Sequence, residues 1–343
     1  MNVFSRSLSP ASATVVVLTA MVGYGFNPLF ARWIYAFGLS PEISVVYRYG
    51  LPALLMLPFV TSIRNQPRES LMAFCGGLSM GLGALGYFKA LSVLPVSVCV
   101  LIFFTYPLFT IIFGRILFGI RIQGPHMISA LLILCGCALT LGPSKDITGE
   151  LWTAVAWCFL APVGVTSIIL LFSLKLKTMN PISSTAFMLL GNTVIGLQAL
   201  FWLDGFSWVP DNPQAYWPLI GTGLITALIP HLLFIWASPV AGPAKTAICG
   251  SAEFLTSLFS GWFILHEPIL WNEISAAILI LVALLISVRL SKVTPEKEMQ
   301  PEDSHQKINQ NCSYLPKQIK MKNKIRGMTL FLSVKLDYQT FAC

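Results

Sequence analysis

Ile278-Leu279-Ile280-Leu281-Val282 is the stretch on which the fold turns. Five consecutive apolar side chains leave no polar alternate position. The run therefore fails as a strand of a membrane barrel, which alternates lipid-facing and lumen-facing residues over short segments. It fits a helix in hydrocarbon, where a bilayer core about 30 Å thick asks for roughly 20 apolar residues. Val15-Val16-Val17-Leu18, near the start of the chain, has the same character. The whole composition agrees. Of 343 residues, 55% are hydrophobic and only 10% charged, with a mean hydropathy of +0.74. A soluble domain carries roughly 25% charged residues, so a water-facing globule is excluded. Disorder is excluded for the opposite reason, because the apolar content is too high.

Comparable stretches, interrupted by Pro, Gly or charge, fall at 12–37, 43–62, 69–91, 95–118, 124–142, 150–174, 182–203, 215–238, 243–265 and 271–290. The expected fold is an all-α integral membrane protein of ten transmembrane helices. The first stretch begins after Pro10 and runs on without a small-residue cleavage site, so it reads as a retained span and not a signal peptide.

Charge placement sets the orientation. With the N-terminus cytoplasmic, the inner loops and span ends hold Arg6, Arg64, Arg68, Arg115, Arg121, Lys175, Lys177, Lys245, Arg289 and Lys292. The outer set is Arg32, Lys89 and Lys145, and the loop between spans seven and eight carries Asp204 and Asp211 with no base. Excess Lys and Arg marks the cytoplasmic side. Trp33, Trp152, Trp202, Trp208, Trp217 and Trp271 gather at the expected outer boundary, where amphipathic indoles collect. Both termini are thus expected inside, in a bacterial inner membrane. The net charge of +8 divides evenly: residues 291–343 carry nine bases and five acids, and residues 1–290 carry thirteen and nine. The share in the spans is the anchor set, which implies no nucleic-acid partner.

Cys312 and Cys343 lie in the polar tail and the other six cysteines in spans. Cys135 and Cys137, two apart on one helix, point to different sides and do not share a metal. Walker A, Gly-rich dinucleotide and Ser/His/Asp patterns are missing from the sequence. No cofactor is expected, and energy for any transport must come from a gradient.

The chain also contains itself. A shift of 147 residues aligns spans three to five with spans eight to ten without a gap, pairing Gly76 with Gly223, Ala90 with Ala237, Gly114 with Gly261, Ala130 with Ala277, Leu132 with Leu279 and Ile133 with Ile280. Near the front of each half, Ser40-Pro41 answers Asn180-Pro181 at a shift of 140. Five spans per half is an odd number, so the second half enters the membrane upside down. Two inverted five-helix repeats are an architecture of alternating-access transporters, with the solute site near the midplane. The expected organisation is a cytoplasmic N-terminus (1–10), a first repeat (11–142), a second repeat (148–290) and a polar, basic cytoplasmic tail (291–343). In that tail, Lys317 to Arg326 hold five bases in ten residues, a cluster suited to anionic lipid or simply to water.

Two such repeats, with Ser40-Pro41 and Arg48 on span two, Tyr106-Pro107 on span four, Ala252-Glu253 on span nine and the closing His266-Glu267-Pro268, resemble the EamA-type transporters of the drug/metabolite transporter superfamily. The resemblance covers about residues 11–290. Where the family often has Gly-Glu ending span four, this chain has Gly119-Ile120-Arg121, and Gly23-Tyr24-Gly25 replaces the usual Trp-Gly of span one. The resemblance implies a ten-helix bundle that moves small organic solutes or metabolites, often outward.

Charged groups at membrane depth default to functional hypotheses, because burying them costs several kcal/mol. Glu253 sits about ten residues from either end of span nine, the single acid of that span's interior. A carboxyl that takes a proton on one side and releases it on the other can couple proton flow to solute flow. The competing reading is a hydrogen-bonded strut between helices. Arg48 lies about seven residues into span two, roughly 10 Å deep, and could meet a solute carboxylate, pair with Glu42 or Glu253, or snorkel outward. His231 follows Pro230, where proline frees a backbone carbonyl, at a depth within about 6 Å of Glu253. Asn27-Pro28, Asn192, Tyr24, Tyr47 and Tyr106 either line a cavity or bond between helices. The candidate site is therefore Glu253, Arg48, His231, Asn27, Tyr106 and Asn192. Gly76, Gly77, Gly81, Gly83 and Gly86 give span three the small-xxx-small spacing of close helix contact. Lys89 is expected to snorkel, and Glu267 to close a helix end.

The functional expectation is a secondary-active exporter of small organic solutes, coupled to protons and working by alternating access, with lipid and solute as partners and a homodimer left open. The alternatives are a non-transporting membrane sensor or assembly protein, and a lipid-modifying membrane enzyme. The latter should show several polar groups clustered at one interface, which the sequence lacks.

Overall fold

The computed structural model describes residues 8–64, 66–119, 124–140, 149–176, 179–202, 210 and 212–291. Arg6, Arg121, Lys145, Lys177, Asp204, Trp208, Asp211, Lys292 and the tail with Cys312 and Cys343 lie outside them, as do the side chains of Arg64, Cys137 and Arg289. Helices account for the regular structure among the described residues. They are α1 (Pro10–Gly25), α2 (Asn27–Ala36), α3 (Pro41–Met56), α4 (Pro67–Leu91), α5 (Val96–Phe103), α6 (Tyr106–Phe118), α7 (Gly124–Thr140), α8 (Gly149–Cys158), α9 (Leu160–Leu174), α10 (Pro181–Phe201), α11 (Tyr216–Gly223), α12 (Ile229–Ala241), α13 (Pro243–Phe259) and α14 (Trp271–Ser291). Among the described residues, seven helical runs are long and apolar enough to cross a bilayer: 10–36, 41–60, 67–91, 96–118, 149–171, 181–201 and 213–241. Shorter apolar helices cover 248–264 and 271–286. The chain is a multi-pass membrane protein.

Local chemistry sets the starts. Ser9, Ser40 and Asn180 accept backbone N–H groups of Ser12, Ile43 and Ile182, and each is followed by proline at the first helical position. Proline fits there because its missing N–H is one the helix leaves unpaired anyway. The same residue explains the breaks. The helical path is interrupted at Phe26, at Phe104-Thr105 and at Phe159, just before Pro28, Pro107 and Pro162. Each ring crowds the carbonyl four residues earlier and removes a donor. A π-turn over Leu224–Leu228 precedes Pro230 in the same way, and a second covers Ser260–Ile264.

Packing is pairwise and regular. α4 lies along α10 and α9, α3 along α10 and α11, α1 along α12 and α13, α6 along α9, and α7 along α14. Glycine makes the α4 contacts close. A Cβ on Gly77 would lie 2.2 Å from the Met188 carbonyl oxygen, and one on Gly191 would lie 2.3 Å from that of Phe74. On the other flank of α4, a Cβ on Gly86 would lie 2.3 Å from the Trp157 oxygen of α8. Gly77, Gly81, Gly83 and Gly86 of the third expected span are thus backbone-contact positions between α4 and its neighbours, while Gly76 makes room for the Leu171 and Ile168 side chains of α9.

The two ends of the bundle differ. At the end carrying the α2–α3, α4–α5 and α13–α14 connections, Trp152, Trp202, Trp217 and Trp271 are exposed, and Trp33 packs on Trp217 with ring centroids 4.7 Å apart. At the opposite end Arg68, Arg115, Lys175 and Lys245 are exposed.

Candidate functional site

The breaks in α1/α2 and α5/α6 and the π-turn before α12 surround a cavity of ≈ 260 Å³ in the interior of the bundle. Its walls come from both halves of the chain: α1, α2, α3, α4 and α5 on one side and α9, α10, α12 and α13 on the other. Most of the lining is apolar and aromatic, with Phe103, Phe104, Tyr87 and Phe88 forming one wall. Four of the six expected site residues line it: Asn27, Arg48, His231 and Glu253.

Arg48 is held in place from two directions. Its Nη1 donates to Asn27 Oδ1 on α2 and to Thr226 Oγ1 in the π-turn. The Thr226 hydroxyl spends its own proton on the Thr222 carbonyl at 2.7 Å, which leaves lone pairs for the guanidinium. The Arg48 guanidinium also lies 5.5 Å from the Tyr49 ring centroid. Its partners are neutral, and the acids expected to pair with it do not: no ion pair joins Arg48 to Glu253 or Glu42. A positive group and a carboxyl thus face one cavity from different halves of the chain.

Glu253 is positioned by a tight helix crossing. A Cβ on Gly25 would lie 2.7 Å from the Glu253 carbonyl oxygen and 2.5 Å from Thr256 Cβ, so α1 and α13 touch through backbone. The Ser257 hydroxyl ties the crossing by donating to the Gly25 carbonyl at 3.1 Å. His231 bonds away from Glu253. Its Nδ1 is 2.9 Å from Tyr24 Oη and its Nε2 is 3.1 Å from Thr185 Oγ1, a chain that links α1, α12 and α10. Pro230 reaches α1 because Gly23 has no side chain to oppose it, with a Cβ there only 2.7 Å from Pro230 Cγ.

Tyr106 and Asn192 lie elsewhere. Tyr106 packs its ring against Phe103 and Phe104, at 5.9 and 6.0 Å between centroids, behind the cavity wall. Asn192 is fully buried on α10, and neither amide atom finds a hydrogen-bond partner among the described residues. Thr226 and Thr185 complete the polar set, and no sequence signal marks them, since a threonine in an apolar span usually bonds its own helix.

Lys89 and Glu267 depart from expectation. Lys89 Nζ pairs with Glu42 at 3.1 Å and lies 5.0 Å from the Trp157 ring centroid, so it does not merely reach for water. Glu267 closes a helix end, though of a different helix from the one it follows: its carboxylate accepts the Val96 N–H of α5 at 2.8 and 2.9 Å.

The family model described as "EamA-like transporter family" matches residues 11–142 and 152–289. Among curated proteins no match is found. A solved structure described only as "Crystal structure of protein" is similar in fold, with a TM-score of 0.57 at 15% identity over 82% of this chain and 98% of the other.

Proposed function

The chain belongs to the EamA-like transporter family, and on that footing we propose that it is a secondary-active transporter of small organic solutes, exporting by alternating access and coupled to protons. The observation that carries this reading is the cavity between the two halves, with Arg48 from the first and Glu253 from the second exposed to it and not paired. Charges buried without a mutual partner are expensive. They make sense where a solute or a proton completes them.

The proposed architecture is ten spans in two inverted repeats of five, with both termini cytoplasmic in an inner membrane. Two features support it. The family match falls in two successive segments of similar length. The packing pattern also survives exchange of the halves: α1 with α12 and α13 corresponds to α9 with α4 and α6, α3 with α11 corresponds to α10 with α4, and α7 with α14 maps onto itself. In this reading Glu253 carries the proton or meets a cationic group of the solute. Arg48, steadied by Asn27, faces its anionic or polar part, and His231 fixes Tyr24 on the cavity wall. Tyr106 and Asn192 act at one remove, Tyr106 by backing the aromatic wall.

Flux into proteoliposomes tests this, with a panel of amino acids, nucleosides and amines assayed with and without a pH gradient. Saturable flux that follows the gradient is expected, and Glu253→Gln should abolish the gradient dependence at normal expression. Full proton-driven transport by Glu253→Gln removes the coupling role. Absence of saturable flux for every compound favours the sensor reading.

A further inference from the structure

One end of the bundle is tied by two sets of charged contacts, and the residue types at the equivalent positions of the other half cannot form them. In the first set, Arg32 Nη2 on α2 donates to the Leu94 carbonyl at 2.7 Å and pairs with Glu267 at 3.3 Å. Both oxygens of Glu267 also accept the Val96 N–H that opens α5. This joins α2, the α4–α5 connection and the α13–α14 connection. In the second, Lys89 on α4 pairs with Glu42 on α3 at 3.1 Å, and Glu42 is almost fully buried at 3% exposure. Between the sets, Tyr35 Oη donates to the Phe88 carbonyl at 2.8 Å. Hydrogen bonds with a charged partner are stronger than neutral ones, and here the acids are the buried members, Glu267 at 12% and Glu42 at 4% side-chain exposure, while Arg32 and Lys89 stay partly open at 26% and 33%.

The backbone keeps the shift of 147 residues at this level. Val96 and Pro243 both open helices, α5 and α13. Gly119 and His266 both adopt left-handed conformations after a helix, with φ of 66° and 54°. The chemistry at the equivalent positions is not kept. Glu267 corresponds to Ile120, which offers no acceptor, and Val96 corresponds to Pro243, which has no N–H to give. Lys89 corresponds to Trp236 and, at the shift of 140 that pairs Pro41 with Pro181, Glu42 and Arg32 correspond to Ile182 and Phe172. Every charged member and the backbone donor are replaced by groups that cannot form the contact.

We propose that these contacts are a latch on one gate of the transport pathway, so that the resting protein is closed at the α4–α5 end and exchanges with solution at the opposite end. The inference rests on the alternating-access reading above. Closing one end favours the state that opens the other, and contacts that the equivalent residues of the other half cannot make bias that equilibrium by their free energy. The cavity lies beneath these contacts, lined by Tyr87 and Phe88 next to Lys89, and it reaches past Glu253 toward the opposite end through Met56, Ile168, Thr185 and Phe234.

The test is side-specific thiol labelling of the full chain in vesicles of known orientation, with the native cysteines replaced and Ala84→Cys placed in the cavity wall. Ala36→Cys, exposed where α2 ends at the latched end, reports which side of the membrane that end faces. An impermeant maleimide should label Ala84→Cys from the side opposite to Ala36→Cys. Glu267→Gln keeps an oxygen for the Val96 N–H but loses the charge that meets Arg32. It should raise labelling from the latched side about tenfold, the factor expected for losing one hydrogen bond to a charged group. Glu42→Gln with Lys89→Met, which removes the second pair as a unit, should do the same if the first variant folds poorly. Equal labelling of the parent from both sides overturns the latch, as does unchanged labelling in a monodisperse variant. One-sided labelling of a protein that carries no solute would leave the latch standing and remove the transport reading.

Discussion

Replacing Gly77 with alanine probes whether the backbone contact between α4 and α10 holds the bundle together. The added Cβ would sit 2.2 Å from the Met188 carbonyl oxygen and 2.9 Å from Met188 C and Cα, where ordinary contact begins at 3.4 Å. The obstacle is main chain and has no rotamer to move into. Nor can α4 retreat, because on its other flank a Cβ at Gly83 would already lie 2.7 Å from the Leu160 oxygen. The seam must therefore open by about 1 Å, and overpacking of this kind costs about 1–3 kcal/mol. Alanine recovers about 0.5–1 kcal/mol of helix propensity over glycine, so the net loss centres on about 1 kcal/mol and reaches at most about 2.5 kcal/mol. Unfolding by SDS titration in mixed micelles measures it. Gly50→Ala is the control, since its Cβ would meet Thr193 Cγ2 at 3.5 Å, an ordinary contact. That variant should be as stable as the parent or gain up to about 1 kcal/mol. Gly77→Ala with parental stability, or a Gly50→Ala loss of the same size, would refute the argument.

Two further outcomes follow from the cavity. Arg48→Lys replaces a planar fork with a point charge and should raise the half-saturating solute concentration about tenfold or more; an unchanged value in the flux assay excludes guanidinium contact with the solute. Tyr24→Phe removes the hydroxyl that lies 2.9 Å from His231 Nδ1 and should cost about 0.5–1.5 kcal/mol of stability. A double-mutant cycle with His231→Gln should return a coupling of similar size, and simple additivity would show that the two side chains act independently.

The aperiodic apolar runs located the helices within a few residues. The expected span 69–91 is α4, Pro67–Leu91, and 182–203 is α10, Pro181–Phe201. The interruptions were also written in the chain, as Pro28, Pro107 and Pro230, but a hydropathy scan averages over them. Depth was legible for Glu253 and Arg48 because a charge inside an apolar run is conspicuous wherever the helix packs. Partnership was not. Arg48 could have met Glu42 or Glu253 by depth alone, yet it bonds Asn27 and Thr226, while Glu42 goes to Lys89. Which face of a helix meets which neighbour depends on rotation about its axis, and a uniformly apolar helix carries little periodic signal to fix that rotation.

Sequence alone determined that this chain lives in a bilayer and where its helices begin, and it supplied the residue pairs at a shift of 147 on which the two-repeat proposal rests. These are properties of local composition, set by the need to satisfy every backbone group inside hydrocarbon. Only the tertiary structure decided that Glu253 and Arg48 share a cavity without pairing, that Tyr106 and Asn192 stand outside it, and that Glu267 caps a helix 171 residues away. Those facts arise where backbones meet through glycine and where proline opens a helix. There, a difference of an ångström or a quarter-turn decides which polar groups find each other.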